Sequence, residues 1–234
     1  MTDSDVAVLD DPVGESLRSR HGHLARRLGR AAGYLPEVAT FSAVSADPDP
    51  AEWADLARLL GRGELADLFS HPATPPADWE PVFTLDGFQL VGPADGLPDH
   101  PEDGPDAEVV ELGADDVPEM LGLTARTRPG PFWPRTRELG TYLGIRENGV
   151  LVAMAGERLR PPGWTEISAV CTAPDARGRG HATRLVRALA ARITARNERP
   201  FLHVAAANTG ALALYERLGF AVRRRVTFRG FRTP

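Results

Sequence analysis

Lysine is missing altogether from these 234 residues, so all 27 basic residues are arginine. The protein therefore cannot be acylated on a lysine side chain of its own. We read the lack of lysine as genome composition, that of a GC-rich bacterium. Cysteine is nearly as scarce. Cys171 is alone, which excludes an internal disulfide and fits a reducing cytoplasm. No apolar run approaches the ~20 residues that a bilayer span needs. The opening MTDSDVAVLDDPVGES is acidic and lacks the basic and apolar regions of a signal peptide. The expected location is cytoplasmic, with no membrane partner. Positive excess is also lacking: the net charge of −5 argues against nucleic acid as a partner. No histidine or cysteine cluster has metal spacing, so no metal is expected. No G-x-G-x-x-G follows a first strand, which excludes that dinucleotide fingerprint. No internal repeat is evident.

What is there is ordinary in bulk: 42% hydrophobic and 25% charged residues, as in a soluble globular protein of one large or two small domains. Residues 93–107, PADGLPDHPEDGPDA, read as a linker or exposed loop. They divide the chain into an N-terminal region, 1–104, and a C-terminal domain, 105–234. Before the boundary, helices are expected over 15–35 and 51–60, a strand over 37–45, and a short strand or two within 78–91. Prolines 72, 75, 76 and 81 interrupt the rest, and no catalytic signature appears.

After the boundary the pattern is regular. A strand over 108–112 leads into a helix over 115–127, with Asp115 or Asp116 as N-cap. A loop with three prolines follows. Asn148-Gly149 then joins strands over 141–146 and 150–160, the strongest short hairpin signal. A third strand covers 164–172. Another runs over 200–206, then a helix over 210–218 stopped by Gly219, and a last strand or hairpin.

The most informative stretch is TEISAVCTAPDARGRGHATRLVRALAARI, residues 165–193. It reads as strand, turn and helix. The turn Arg177-Gly178-Arg179-Gly180-His181-Ala182 fits R-x-x-G-x-A. It opens backbone N–H groups at the positive end of a helix, which suits a pyrophosphate. The helix carries Ala182, Leu185, Val186, Leu189, Ala190 and Ile193 on one face and arginines on the other, so it packs on the sheet and fixes the turn.

About 30 residues further on come Asn208, Ala211, Tyr215, Gly219 and Phe220, in the pattern N-x-x-A-x-x-x-Y-x-x-x-G-F. Both motifs, in this order and on these elements, resemble the GCN5-related N-acetyltransferase (GNAT) superfamily. The run PFLHVAAANTGALALYERLGF is similar to its FR47-like branch. The resemblance covers residues 108 onward, and the N-terminal region reads as a degenerate copy of the same fold. It implies an α/β fold with a mixed, mostly antiparallel central sheet flanked by helices. It also implies acetyl-CoA as co-substrate and an amine of a small molecule or peptide as acceptor. A homodimer, a longer acyl donor and a protein N-terminus as acceptor stay open.

The resemblance further implies roles. The loop backbone, Arg177, Gly178, Arg179, Gly180, His181, Ala182 and Thr183, would hold the CoA pyrophosphate. Val170, Cys171 and Thr172 would pair with the pantetheine arm, beside a bulge whose free N–H polarises the thioester carbonyl. Asn208 caps a helix and would contact the same ligand. Tyr215 would protonate or orient the leaving thiolate. Glu166, on the strand before the turn, is the first candidate for the base that deprotonates the amine, and Glu157 the second; a base relayed through water is a further option. Cys171 is read as a packing residue and not a nucleophile. His203 shares a strand face with Phe201 and Ala205, and reads either as a satisfied core histidine or as part of the acceptor site. Phe132 and Trp133 would wall the acceptor pocket or form a packed clip. The alternative to an enzyme is an acyl-CoA-binding regulatory module without turnover. The presence of Tyr215 and a candidate base favours the enzyme.

Overall fold

The computed structural model describes residues 6–98 and 108–234. Eight strands form the main sheet, in the order β4 (Leu65–Phe69), β11 (Ala221–Arg232), β5 (Glu80–Val91), β10 (Arg199–Ala205), β9 (Trp164–Thr172), β8 (Val150–Glu157), β7 (Tyr142–Glu147) and β6 (Val109–Glu111). Every neighbouring pair is antiparallel except β9 and β10, which run parallel. The expected mixed, mostly antiparallel sheet with flanking helices is thus observed. A small antiparallel sheet joins β1 (Ala25–Leu28), β2 (Ala31–Tyr34) and β3 (Ser42–Ala43).

Five α-helices accompany the sheets among the described residues: α1 (Pro12–Arg18), α2 (Pro50–Leu60), α3 (Val117–Thr127), α4 (His181–Ala195) and α5 (Thr209–Arg217). Local chemistry explains several boundaries. The β7–β8 turn uses Asn148 at φ 51° and Gly149 at φ 82°, the two left-handed residues a tight hairpin needs. Asn208 caps α5, its Oδ1 accepting from the Ala211 N–H at 3.2 Å.

Three sequence expectations need correction. The helix over 15–35 ends at Arg18; a 3-10 turn, Gly22–Leu24, follows, and residues 25–34 form the β1–β2 hairpin. Its apolar positions looked helical, but Gly29 turns the chain at φ 55° and residues 31–34 bury as a strand. The strand over 37–45 shrinks to Ser42–Ala43, since Glu37 takes a left-handed φ of 63° that no strand accommodates. Residues 78–91 hold one long strand, β5.

Strand β5 comes from the N-terminal region, yet it lies between β10 and β11. The regions on either side of residue 104 therefore build one sheet. Of the linker, residues 93–98 are described and 99–107 lie outside the described residues. Along β10 the side chains divide between two cores. Leu202 and Val204 join Met120 of α3 and Leu185 and Leu189 of α4. Phe201 joins Leu9, Leu17, Tyr34, Phe41 and Phe69 of the N-terminal region. The N-terminal region thus covers one face of the sheet where β9 and β10 run side by side.

Candidate active site

The parallel strands β9 and β10 pair only over Trp164–Glu166 and Arg199–Phe201, and then diverge. On the other side of β9 the register with β8 slips between Met154 and Gly156, where Ala169 adopts φ 51°. This bulge bends the strand away from β10. The Ala173 N–H donates to the Val152 carbonyl at 2.7 Å. By alternation, the N–H groups of Val170 and Thr172 point into the gap. A cleft of about 940 Å³ opens there, lined by Val170, Cys171, Thr172, His203, Asn208 and Tyr215 among others.

Six further residues of the cleft wall come from the arginine turn: Arg177, Gly178, Gly180, His181, Ala182 and Thr183. Gly178 and Gly180 take φ values of 78° and 77°. A Cβ at either would meet no atom within 4 Å, so the backbone conformation and not crowding calls for glycine. Gly180 caps α4 without a side-chain acceptor, and the first turn holds no acidic residue. Among the described residues, no group accepts from the six N–H groups of Gly178 through Thr183. Six open donors at the positive end of a fifteen-residue helix fit a pyrophosphate. Arg179 contributes only backbone here, because its side chain pairs with Glu147 at 2.8 Å. The His181 ring is buried and bonds the same carboxylate at 3.0 Å.

Tyr215 is buried at the cleft wall, and burial pushes its phenol up to about 12, with the charge of Arg158 pulling the other way. No protein group among the described residues hydrogen-bonds its hydroxyl. A phenol that weak keeps its proton at working pH. Such a phenol can offer a hydrogen bond to a thiolate of pKa ~8.5 more readily than it can give up its proton. Cys171 is buried, and burial raises its thiol. A thiol so placed is a poor nucleophile, consistent with the packing role read from the sequence.

Glu166 departs most from its expected setting, and its reading as the base is corrected here. It is fully buried and absent from the cleft wall. Arg158 holds both oxygens, Nε on Oε2 at 2.8 Å and Nη2 on Oε1 at 2.6 Å, and the His203 Nδ1 lies 2.7 Å from Oε1. Burial alone would raise this carboxyl, but Arg158 and His203 outweigh it and bring it down to about 2. A carboxylate so committed does not take a proton from an amine near neutral pH. Its work is to fix Arg158 and His203.

The state of His203 follows from a chain of bonds. Arg223 donates to Gln89 Oε1 at 2.7 Å, and Gln89 Nε2 donates to the Leu9 carbonyl at 2.8 Å. The same Nε2 lies 3.1 Å from His203 Nε2, which therefore accepts, leaving the ring proton on Nδ1 toward Glu166. His203 lines the cleft as a neutral ring with both nitrogens occupied; burial lowers its pKa against the pull of Glu166.

Three other candidates lie away from the cleft wall, Phe132 and Trp133 in the packed arrangement that was their alternative reading. Glu157 is buried off the cleft, bonded by Arg196 at 2.7 Å and by the Thr141 N–H at 3.2 Å. Phe132 packs edge-on against Tyr142, with ring centroids 5.6 Å apart. Trp133 is likewise off the cleft, where its N–H bonds Thr136 at 2.8 Å; their neighbours Pro129, Gly130 and Pro131 form that wall instead.

The N-terminal region supplies what the sequence did not reveal. Asp67, Phe41, Phe69, Phe83 and Leu85 line the cleft together with Arg158 and Phe228. The signal was an aspartate in the middle of the short apolar run Leu65-Ala-Asp-Leu-Phe69.

Residues 142–229 match the family model described as FR47-like protein. A solved GNAT-family protein from Novosphingobium aromaticivorans is 39% identical, covers 97% of this chain and 98% of its own, and superposes with a TM-score of 0.84. This chain belongs to the GNAT family. A GCN5-related N-acetyltransferase from Kribbella flavida shares the fold at 17% identity and a TM-score of 0.61, with 95% of this chain and 96% of that one covered. No curated protein matches this sequence. Family and fold together make this GNAT protein an N-acetyltransferase in general terms, with acyl-CoA as co-substrate. Among the described residues, no helix is long and apolar enough to cross a membrane, and no metal-holding group of three or more ligands occurs.

Proposed function

We propose that this GNAT protein transfers an acyl group, acetyl in the first instance, from acyl-CoA to an amine of a small molecule or peptide by direct attack in a ternary complex. The observation that carries the reading is the row of six unbonded N–H groups at the start of α4, opening into the same cleft as the splayed end of β9. When bound, acyl-CoA supplies an electrophilic thioester carbonyl and a thiolate leaving group.

The residues divide the work. Gly178 through Thr183 hold the pyrophosphate by backbone, and Arg177 adds charge at the rim. Val170 and Thr172 offer strand N–H groups to the pantetheine arm, and one of them polarises the carbonyl; a single well-aimed donor of this kind is worth about 3 kcal/mol. Asn208 holds the start of α5, which places Tyr215. Tyr215 keeps its proton and donates to the departing sulfur. The thiol of Cys171 is too weakly acidic for an acyl-cysteine route, which favours direct transfer.

A thermal-shift titration tests this. Acetyl-CoA at ~100 times its Kd adds about 2.7 kcal/mol of stability, a shift that NAD and ATP do not produce. Longer acyl-CoAs in the same assay rank the donor. An unchanged melting temperature at millimolar acetyl-CoA would overturn the reading.

A further inference from the structure

We propose that Asp67 is the carboxylate that receives the acceptor's ammonium group and takes its proton, and that the acceptor is a primary amine on an apolar, aromatic-sized body. The proposal rests on the acyltransferase reading above.

Asp67 lies on β4, 4% exposed, and lines the cleft. Thr40 donates to its Oδ2 at 3.0 Å. Its Oδ1 is buried without any hydrogen-bond partner. A buried acceptor left open is costly unless a ligand completes it. The surroundings state the ligand's chemistry. Phe41 bridges to Asp67 through the backbone, and Phe69 stacks on Phe228 with centroids 4.6 Å apart. Phe83 and Leu85 stand partly exposed at the rim. One anionic oxygen among phenyl rings suits a cation on an apolar body.

The charges around Asp67 leave it unneutralised. From the end of β8, Arg158 is the charged group that faces it, and no ion pair joins them. Arg158 spends its own charge on Glu166, with its guanidinium over the Phe69 ring at 4.6 Å. From β10, His203 is neutral. From β11, the residue opposite is Gly230, without a side chain. Thr40, before β3, is a neutral donor. Burial therefore dominates and lifts the carboxyl to about 6, with Thr40 and Arg158 opposing. That range suits a base working near neutral pH.

The proton count closes. Asp67 Oδ1 accepts one proton from the ammonium and later releases it to solvent through the cleft. The freed nitrogen pair forms the N–C bond, and the C–S bond breaks with its pair on sulfur. The second nitrogen proton balances the thiolate as thiol.

The test uses the full chain, acetyl-CoA and 2-phenylethylamine, with binding measured by calorimetry and thiol release followed with a disulfide reagent. For Asp67→Asn the acetyl-CoA affinity stays within about twofold, the 2-phenylethylammonium affinity falls at least ~10-fold, and kcat/KM at pH 7 falls ~100-fold or more. The wild-type kcat/KM levels off above about pH 6. The variant's keeps rising with pH toward the amine's own pKa, and Asp67→Glu restores part of the plateau. Unchanged kcat/KM and pH profile in Asp67→Asn overturns the proposal. So does loss of acetyl-CoA binding in that variant, which would make Asp67 structural. A wild-type protein that binds acetyl-CoA but turns over neither 2-phenylethylamine nor benzylamine overturns the acceptor class. Failure of the wild type to bind acetyl-CoA is seen before any amine is added, and it removes the acyltransferase reading itself.

Discussion

Two carboxylates in one buried region have opposite fates. Glu166 meets a bidentate arginine and a histidine and falls to about 2, whereas Asp67 meets one hydroxyl and rises to about 6. Such separation is how neighbouring carboxyls acquire different jobs. Asp67 also carries a stability consequence. Its pKa is raised on folding, from 3.8 to about 6, so between those values the folded state binds more protons than the unfolded state. Stability attributable to this group is then full below pH 3.8 and is lost as pH rises through 6. The difference corresponds to about 3 kcal/mol. Asp67→Asn removes the dependence. Urea unfolding at a series of pH values should show the variant gaining on the wild type by about that amount between pH 4 and pH 7, and then holding level. A constant difference across that range would place Asp67 in water. Neither carboxylate's fate was legible in the sequence. Arg158 and His203 lie eight and 37 residues from Glu166, and Thr40 lies 27 residues from Asp67. Only the fold brings them together. The elements that carry Tyr215, Asn208 and the turn were legible because each depends on near neighbours in one continuous segment, and the structure brings all three to one cleft.

In the proposed function, the turn and α4 form the element that holds acyl-CoA. Its design is local: two left-handed glycines, no acidic residue in the first turn, and an apolar helix face that anchors the cradle to the sheet. Gly180→Ala tests it without filling any space, since a Cβ there meets nothing within 4 Å. Holding alanine at φ 77° costs about 1 kcal/mol. Denaturant unfolding should show that loss, and the acetyl-CoA thermal shift should shrink as well, because relief of the strain re-aims the N–H groups. A variant that loses stability but keeps full affinity would mean that the Gly180 peptide does not orient the ligand. Elements after residue 108 matched their sequence reading closely, since hairpin, cap and helix signals there agree with one another. Most misreadings lie before residue 45, where Leu24, Leu28, Ala31 and Ala32 mimic a helical period, although Ala31 and Ala32 are buried in a small sheet and Leu28 is exposed at its turn.

At the scale of the molecule, the sequence divides at a proline- and glycine-rich linker, but the sheet does not. Residues 105–234 alone would lack β5, leaving the neighbouring edges of β10 and β11 unpaired over as many as twelve residues. They would also lose the cover over Trp164, Phe201 and Phe228, which pack against Leu9, Leu17, Tyr34, Phe41 and Phe69. The Arg158–Glu166–His203 group beneath that cover would meet water. Exposed strand edges and an open apolar face favour aggregation over folding. We expect the fragment 105–234 to show no cooperative thermal transition and no acetyl-CoA shift, although it contains every element of the cradle. Adding back a separate 1–98 chain should restore both. This dependence is not legible in the chain's composition, because a boundary is read from local composition, whereas strand order joins residues more than a hundred positions apart. Cooperative melting of 105–234 with acetyl-CoA binding would show that the cradle half folds by itself. The N-terminal region would then matter for the acceptor end alone, where Phe41, Asp67 and Phe69 meet the cleft.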